Sequence, residues 1–246
     1  MTESNFKPNA EWPEAALGAG MKLLSKITSD KTVIIDVGAH RGESLKSFDK
    51  NANKSYVYIG MEPNPEAYTD FKKVADDIKS DKSDIYCLTS AVGNKDGKVT
   101  FLKTKESAVG GILPPVKGLA ERVPTGDHSI NLEFEVDLIT VTTLVKKYNL
   151  SSVDVLKIDT EGYDLEVLKG AIEVIEAKIP KIIITEVFFV PYRENQAYFW
   201  DIAKFMENNG YHFVNLYDLR DTSQGRLYTG NGLWVSPEIA ALNNFL

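Results

Sequence analysis

Four apolar segments, each six or seven residues long, recur along this chain, and a polar turn follows directly after each of the first three. The segments are TVIIDV (32–37), SYVYIGM (55–61), VDVLKID (153–159) and KIIITEV (181–187). Runs of this length predict strands that are buried on both faces, as in parallel sheets covered by helices. Amphipathic stretches between the runs predict those helices. The alternation therefore predicts an α/β domain with a doubly wound, mostly parallel sheet.

The C-terminal part of the chain departs from this alternation. YHFVNLY (211–217) and RLYTGNGLWV (226–235) follow each other with no helical pattern between them. Strands joined by so short a connection pair antiparallel, which predicts a hairpin at one edge of the sheet. A mostly apolar edge strand at 226–235 could support a homodimer. Further strands are predicted at DIYCLTSAV (84–92), KVTFL (98–102, hairpin-like) and LEFEVDLITV (132–141).

The chain length of 246 residues fits one large domain or two small ones. We expect a short helical extension over residues 1–29 and a single domain over residues 30–246. Residues 103–131 contain Gly110-Gly111 and Pro114-Pro115 and lack a clear periodic pattern. Because long loops in compact domains are usually functional or disordered, this segment is predicted to be a substrate lid. Gly110 and Gly111 are its candidate hinges and substrate contacts.

Charge and composition narrow the classes of partner. With 28 basic and 35 acidic residues the net charge is −7, which disfavours a nucleic-acid surface. No apolar run reaches the length of a membrane span, and the first twenty residues do not resemble a secretory signal. The single cysteine, Cys87, fits a reducing compartment. We therefore expect a cytoplasmic protein that acts on a small molecule.

The loop DVGAHRG (36–42) leaves the first predicted strand at the end where open α/β sheets bind ligands. Its two glycines would let the backbone approach a ligand closely. Their spacing differs from G-x-G-x-x-G, and no P-loop follows, so a tightly held pyrophosphate is disfavoured. The candidate ligand contacts in this loop are Asp36, Gly38, Ala39, His40 and Gly42.

Glu62 ends the second predicted strand, 20 positions after Gly42. A carboxylate at this place can accept hydrogen bonds from both hydroxyls of a ribose and would repel a 2′-phosphate. A ribose-binding acid without pyrophosphate glycines suits S-adenosylmethionine, which contains adenosine and no phosphate. Pro63 and Asp159 are further candidate contacts of the cofactor, and Ser90 and Ala91 are expected beside the adenine. Asp36 would orient the loop or hold the ammonium group of the cofactor.

The stretch VDVLKIDTEGYDLEVLKGA (153–171) resembles the signature of the FkbM-type methyltransferase family. DVGAHRG (36–42), MEPNP (61–65) and SAVGNKDGKVTF (90–101) are similar to other motifs of that family, in the same order. The resemblance covers roughly residues 30–235. It implies a Rossmann-like class I methyltransferase sheet, S-adenosylmethionine as the methyl donor, and transfer commonly to a hydroxyl oxygen. His40 stands where family members usually carry Asn.

Three carboxylates, those of Asp159, Glu161 and Glu186, are predicted at the ends of neighbouring strands. One of them could act as general base toward a hydroxyl acceptor, with a pKa raised by its neighbours. Alternatively, Asp159 and Glu186 could hold Mg²⁺ or another hard cation. Tyr192 and Arg193 follow the fifth predicted strand and are candidate substrate contacts. Arg193 would suit an acceptor with a carboxylate or phosphate.

Two other functions remain open from the sequence. An NAD-dependent oxidoreductase on a related sheet would need a pyrophosphate turn, which the chain lacks. A protein that binds the cofactor without turnover would keep the same pocket. Cofactor titration with S-adenosylmethionine and NAD, followed by a turnover assay, distinguishes these functions.

Overall fold

The computed structural model describes residues 14–27, 29–119, 123 and 126–245. The helices are α1 (Ala15–Leu24), α2 (Glu43–Asn51), α3 (Pro65–Ile78), α4 (Val141–Lys147), α5 (Asp164–Gly170), α6 (Ile172–Glu176), α7 (Phe199–Asn208) and α8 (Pro237–Leu242). The strands are β1 (Lys31–Val37), β2 (Ser55–Met61), β3 (Ser83–Leu88), β4 (Ala91–Val92), β5 (Gly97–Thr104), β6 (Ile130–Ile139), β7 (Val153–Ile158), β8 (Pro180–Phe188), β9 (His212–Asp221) and β10 (Leu227–Val235). None of the helices in the described part of the chain combines the length and apolar character that crossing a membrane requires.

The main sheet has seven strands in the order β3-β2-β1-β7-β8-β10-β9. The first five in this order pair parallel, and β10 pairs antiparallel with both β8 and β9. The predicted α/β sheet with an antiparallel C-terminal hairpin is therefore confirmed. Strand order reverses between β1 and β7, which is where ligands bind in open α/β sheets.

The position of the C-terminal hairpin differs from the prediction. The strand expected at the edge, 226–235, is β10, and it lies between β8 and β9. That prediction was wrong, and β9 forms the edge. The two strands differ in burial, because most of β10 is buried while β9 is largely half-buried or exposed. Both edges of the mostly apolar strand are therefore paired within the sheet, and the homodimer stays a prediction without this edge to support it.

A second, smaller sheet has the order β4-β6-β5. The predicted strand 84–92 is in fact two strands, since β3 ends at Leu88 and β4 joins this second sheet. β5 pairs antiparallel with β6 along nearly its whole length. It does not pair with β4, which precedes it in the chain, because β6 lies between them, so the hairpin predicted at 98–102 was wrong. The predicted lid, 103–131, covers the segment that joins β5 to β6 together with the adjoining ends of both strands. Residues 120–122 and 124–125 of the lid lie outside the described residues.

Helices cover both faces of the main sheet, as the apolar strands predicted. One face packs against α4, α5, α6 and α7, and the other against α1, α2, α3 and α8. Helix α1, from the predicted N-terminal extension, buries Leu17, Met21 and Leu24 against the sheet. Burying each such side chain contributes about 1.5–3 kcal/mol before conformational entropy is counted. The described part of the extension is therefore packed on the domain.

Candidate active site

A cavity of about 400 Å³ opens at the carboxyl ends of the parallel strands. Its volume falls in the range of small-molecule and cofactor sites. The lining residues that the sequence had singled out are Gly38, Ala39, His40, Glu62, Pro63, Ser90, Ala91, Gly110, Gly111, Asp159, Glu161 and Glu186. The loops after β1, β2, β3 and β7, a residue of β8, and the segment after β5 therefore meet around one space.

Gly38 lies where the loop after β1 touches the loop after β7. Its φ of 87° is in the left-handed region, and a Cβ there would lie 2.0 Å from the carbonyl oxygen of Asp159. The Asp159 N–H also donates to the Val37 carbonyl over 2.9 Å. Glycine is therefore required by backbone packing between the two loops, whatever else approaches it.

Gly42 has a different place from the other loop residues. It is the N-cap of α2 with φ of 84°, and it is not part of the cavity lining. A Cβ at this position would meet Phe71 and Val74 of α3 at 3.1–3.3 Å. Gly42 thus lets the chain turn into α2 and pack closely against α3.

Asp36 is fully buried and lies behind the cavity wall. Its carboxylate accepts a hydrogen bond from the Tyr58 hydroxyl, and its Oδ1 is 3.4 Å from the Nζ of Lys157. Burial raises the pKa of Asp36 to about 6, although the Lys157 charge opposes that rise. Its influence on the cavity therefore passes through Lys157.

Lys157 carries a buried ammonium group into the cavity wall. Its Nζ lies 3.4 Å from Asp36 Oδ1, 3.5 Å from Asp159 Oδ2 and 4.0 Å from Glu14 Oε2. Burial lowers the pKa of Lys157, but the surrounding carboxylates outweigh burial and raise the pKa above its usual value. Lys157 therefore supplies a fixed positive charge beside Asp159.

Glu62 is held rigidly at the tip of β2. Its side chain is almost completely buried, Oε2 accepts the His40 N–H over 2.9 Å, and Oε1 accepts the Asn64 N–H over 2.8 Å. Burial raises the pKa of Glu62 to about 7. Since a carboxylate oxygen accepts more than one hydrogen bond, each oxygen keeps capacity for a ligand hydroxyl.

Asp159, Glu161 and Glu186 form an acid cluster in which carboxylate oxygens lie within 4.8 Å of one another. Glu186 lies within β8, opposite Asn231 of β10. Its Oε1 accepts the Thr229 hydroxyl over 3.1 Å, and its buried Oε2 has no hydrogen-bond partner among the described residues. Burial, followed by the charges of Glu161 and Asp159, raises the pKa of Glu186 well above its usual value.

A model of the FkbM methyltransferase domain matches residues 36–213, which include Glu62 and the acid cluster. This chain belongs to the FkbM methyltransferase family. The resemblance found in the sequence motifs is thereby confirmed. No protein in a search of curated sequences matched the chain.

Solved structures align with this FkbM-family chain. Methyltransferase FkbM from Methylobacillus flagellatus KT aligns with a TM-score of 0.53 at 16% identity, over 85% of this chain and 44% of that one. The chain thus spans less than half the length of that relative. Magnesium protoporphyrin IX methyltransferase from Synechocystis PCC 6803, solved with bound SAM, aligns with a TM-score of 0.48 at 12% identity, over 90% of this chain and 77% of that one.

Tyr192 and Arg193 of the FkbM-family chain lie behind Glu161 and are absent from the cavity lining. The Tyr192 hydroxyl donates to Glu161 Oε2 over 2.7 Å, and Arg193 Nη2 donates to the same oxygen over 2.9 Å. Arg193 also donates to the Val109 carbonyl. Both side chains therefore hold Glu161, and Arg193 ties it to the segment after β5.

That segment reaches the cavity through residues 107–112, which include Gly110 and Gly111. Ser107 contacts the loop after β1, with its hydroxyl 3.1 Å from His40 Nε2. Gly111 pairs with Leu102 of β5 through two backbone hydrogen bonds. Gly110 has a negative φ of −74°. The hinge role of these glycines stays a prediction.

Sequence reasoning missed four polar lining residues that come from the N-terminal segment and the C-terminal hairpin of the FkbM-family chain: Glu14, Asp218, Arg220 and Asn231. The sequence predicted β9 and β10 as a hairpin, but it did not indicate which of their side chains face the cavity. Glu14 carried no signal, because a single acid in an acidic N-terminal stretch is ordinary. These residues come together only when the hairpin and α1 pack on the sheet, so no local sequence pattern identifies them.

Proposed function

We propose that this FkbM-family protein transfers a methyl group from S-adenosylmethionine to a hydroxyl oxygen of a small molecule. The observation that carries the proposal is that the fixed carboxylate of Glu62 and the acid cluster line the same cavity. One end suits an adenosine and the other suits proton removal, and methyl transfer to oxygen needs both. The cavity lining is rich in carboxylates, which fits a cofactor that carries a sulfonium and an ammonium group.

The chain's own residues would hold the cofactor at the tips of β1, β2 and β3. Glu62 would accept the ribose hydroxyls, and Pro63, Ser90 and Ala91 would flank the adenine. Ala39 and His40 would lie along the adenosine, with the backbone of Gly38 beside them. When bound, S-adenosylmethionine supplies the electrophilic methyl group, which is chemistry that no side chain provides.

Glu186 is the proposed general base. Its Oε2 would take the proton of the acceptor hydroxyl as that oxygen forms its bond to the methyl carbon and the bond from that carbon to sulfur breaks, which would leave S-adenosylhomocysteine as the second product. A carboxylate with a raised pKa accepts that proton more readily than an ordinary one. Asp159 and Glu161 would orient the hydroxyl, with Lys157 and Arg193 keeping each of them in place.

A divalent cation bound by Asp159 and Glu186 is the second arrangement, favoured by the free Oε2 of Glu186 and the closeness of the carboxylates. It is less favoured because Lys157 already neutralises Asp159 and because Glu161 Oε2 already accepts two hydrogen bonds. Dialysis against EDTA is therefore expected to leave the rate of S-adenosylhomocysteine formation unchanged. A loss of rate that added Mg²⁺ restores would establish the cation instead.

Glu62→Gln is expected to weaken cofactor binding by about 1.5–3 kcal/mol, because hydrogen bonds to a charged group are lost. This corresponds to roughly 10- to 150-fold in Kd, measured by isothermal titration calorimetry. Glu66→Gln, at an exposed position in the first turn of α3, is the matched control and should bind normally. Equal affinity of Glu62→Gln and the wild type would remove Glu62 from the site.

The same variant tests the pH dependence of binding. The pKa of Glu62 is about 7 in the free protein, and hydroxyl donors favour its ionised form. Binding then requires loss of a proton below that pH, so wild-type affinity is expected to fall as pH drops from 7 to 6. His40 and Asp36 also act on this carboxylate, but they remain in Glu62→Gln. A profile that is equally steep in the variant would assign the effect to those groups.

The proposed function is tested by titrating the protein with S-adenosylmethionine, S-adenosylhomocysteine and NAD. We expect binding of the first two and none of NAD. A panel of hydroxyl-bearing sugars, lipids and polyketides, assayed by S-adenosylhomocysteine release, then identifies the acceptor class. Binding of NAD alone would support the oxidoreductase, and cofactor binding without turnover on any acceptor would support a binding protein.

A further inference from the structure

Glu14 precedes α1 and lies outside the family-matched range, yet it lines the cavity. It occupies the N-cap position of α1, where a short polar side chain such as Asp ordinarily accepts the first helical N–H groups, and its own longer side chain makes no capping hydrogen bond. Asp218 of β9 takes that role, accepting the N–H groups of Ala15 over 3.0 Å and Ala16 over 3.3 Å. The Glu14 carboxylate is thereby left to face the cavity.

The carboxylate of Glu14 is held from two sides. Its Oε1 accepts the hydroxyl of Ser44, a buried residue in the first turn of α2. Its Oε2 lies 4.0 Å from Lys157 Nζ, beyond direct hydrogen-bond distance, and the side chain keeps 25% of its exposure. Glu14 therefore has a defined orientation and a remaining capacity to accept hydrogen bonds from a ligand.

The other carboxylates of the lining have assignments of their own. Glu62 stands at the proposed adenosine end, and Asp159 and Glu186 at the proposed methyl end. Glu43 pairs with His40, Glu161 holds two donors, and Asp218 accepts from α1 and Asn231. Asp36, which the sequence suggested for an ammonium group, is buried behind the wall with Lys157 and Tyr58. Among the described lining residues, Glu14 is therefore the carboxylate that remains available to bind a cationic group of a ligand.

We propose that Glu14 binds the ammonium group at the amino-acid end of S-adenosylmethionine. This inference rests on the proposed function, and it makes α1 part of the cofactor site. The cofactor's cation would replace the distant Lys157 as the near partner of Oε2, while Ser44 keeps its hydrogen bond to Oε1.

The test compares two ligands that share an adenosine. S-adenosylhomocysteine carries the amino-acid end, whereas 5′-methylthioadenosine keeps the adenosine and sulfur without it. In calorimetry, Glu14→Gln should raise the Kd for S-adenosylhomocysteine about 10- to 100-fold, the size of a charged hydrogen bond. Its Kd for 5′-methylthioadenosine should stay within about twofold of the wild type. Glu238→Gln, an exposed acid in the first turn of α8, is the matched control and should change neither.

The outcomes separate this inference from the proposed function. If the wild type binds neither ligand, the proposed function fails. If the wild type binds both and Glu14→Gln weakens both equally or neither, the proposal for Glu14 is overturned while the function stands. A thermal melt verifies that the variant folds. If Glu14→Gln does not fold, Glu14→Asp replaces it, because this variant keeps the charge on a shorter side chain. Glu14→Asp must still weaken the binding of S-adenosylhomocysteine selectively. An unaltered ratio of the two affinities would overturn the proposal.

Discussion

Replacing Glu186 by glutamine is expected to lower kcat by about 10²- to 10⁴-fold, the usual contribution of a general base. The substitution removes the proton acceptor and keeps the size of the side chain. The fold should survive, because the new amide can donate to the neighbouring carboxylates of Glu161 and Asp159. Cofactor affinity should change far less than kcat, since Glu62 and the loop after β1 are untouched.

The measurement is the rate of S-adenosylhomocysteine formation at saturating cofactor, with an acceptor found in the panel. Glu194→Gln, an exposed acid in the loop after β8, is the matched control and should retain full activity. A Glu186→Gln protein that turns over at the wild-type rate would rule out Glu186 as the base. Proton removal would then fall to Asp159.

Gly38→Ala is expected to destabilise the fold by about 2–5 kcal/mol and to abolish measurable cofactor binding. The new Cβ would lie 2.0 Å from the Asp159 carbonyl oxygen, so one of the two loops must move. Overpacking of this kind costs about 1–3 kcal/mol, and the left-handed φ adds about 1–2 kcal/mol. Because the same loops form the cavity wall, their separation should also disturb the cofactor site.

Gly225→Ala separates the cost of the left-handed φ from the cost of the close contact. Gly225 also has a left-handed φ, of 74°, but a Cβ there would meet nothing within 4 Å. The free energy of unfolding of the Gly225→Ala protein, measured by urea denaturation, should therefore fall only by the cost of the left-handed φ. Equal destabilisation in both variants would show that the loops after β1 and β7 yield without strain, contrary to the prediction.

The sequence predicted the fold well because its signals are local. Apolar runs and helical periodicity report burial of one element at a time, and the four buried parallel strands at 32–37, 55–61, 153–159 and 181–187 all form. The break between Leu88 and Ala91 was missed because both flanking segments are equally strand-like. The order of β9 and β10 was missed for a related reason, since a hairpin pattern states that two strands pair but not which one joins β8.

For the site, the position of a residue along its predicted strand indicated whether it lies near the cavity. The direction of its side chain could not be predicted from the sequence. Residues at strand ends, such as Glu62, Asp159 and Glu161, reach the cavity because parallel strands deliver their carboxyl ends to one edge. Asp36 and Arg193 come from equally suitable positions but are buried against Lys157 and Glu161 respectively. Their partners could not be inferred from spacing, because packing across different elements decides them.

What the amino-acid sequence determined by itself was the alternation of strands and helices, the family, and the acids at the strand ends. Only the tertiary structure decided which charges face the cavity. Asp218 caps a helix 203 residues earlier in the chain, and that contact leaves Glu14 directed at the cavity. The physical reason is one of range: burial and propensity act within a few residues, whereas a charged side chain is oriented by whichever donors the folded chain brings beside it.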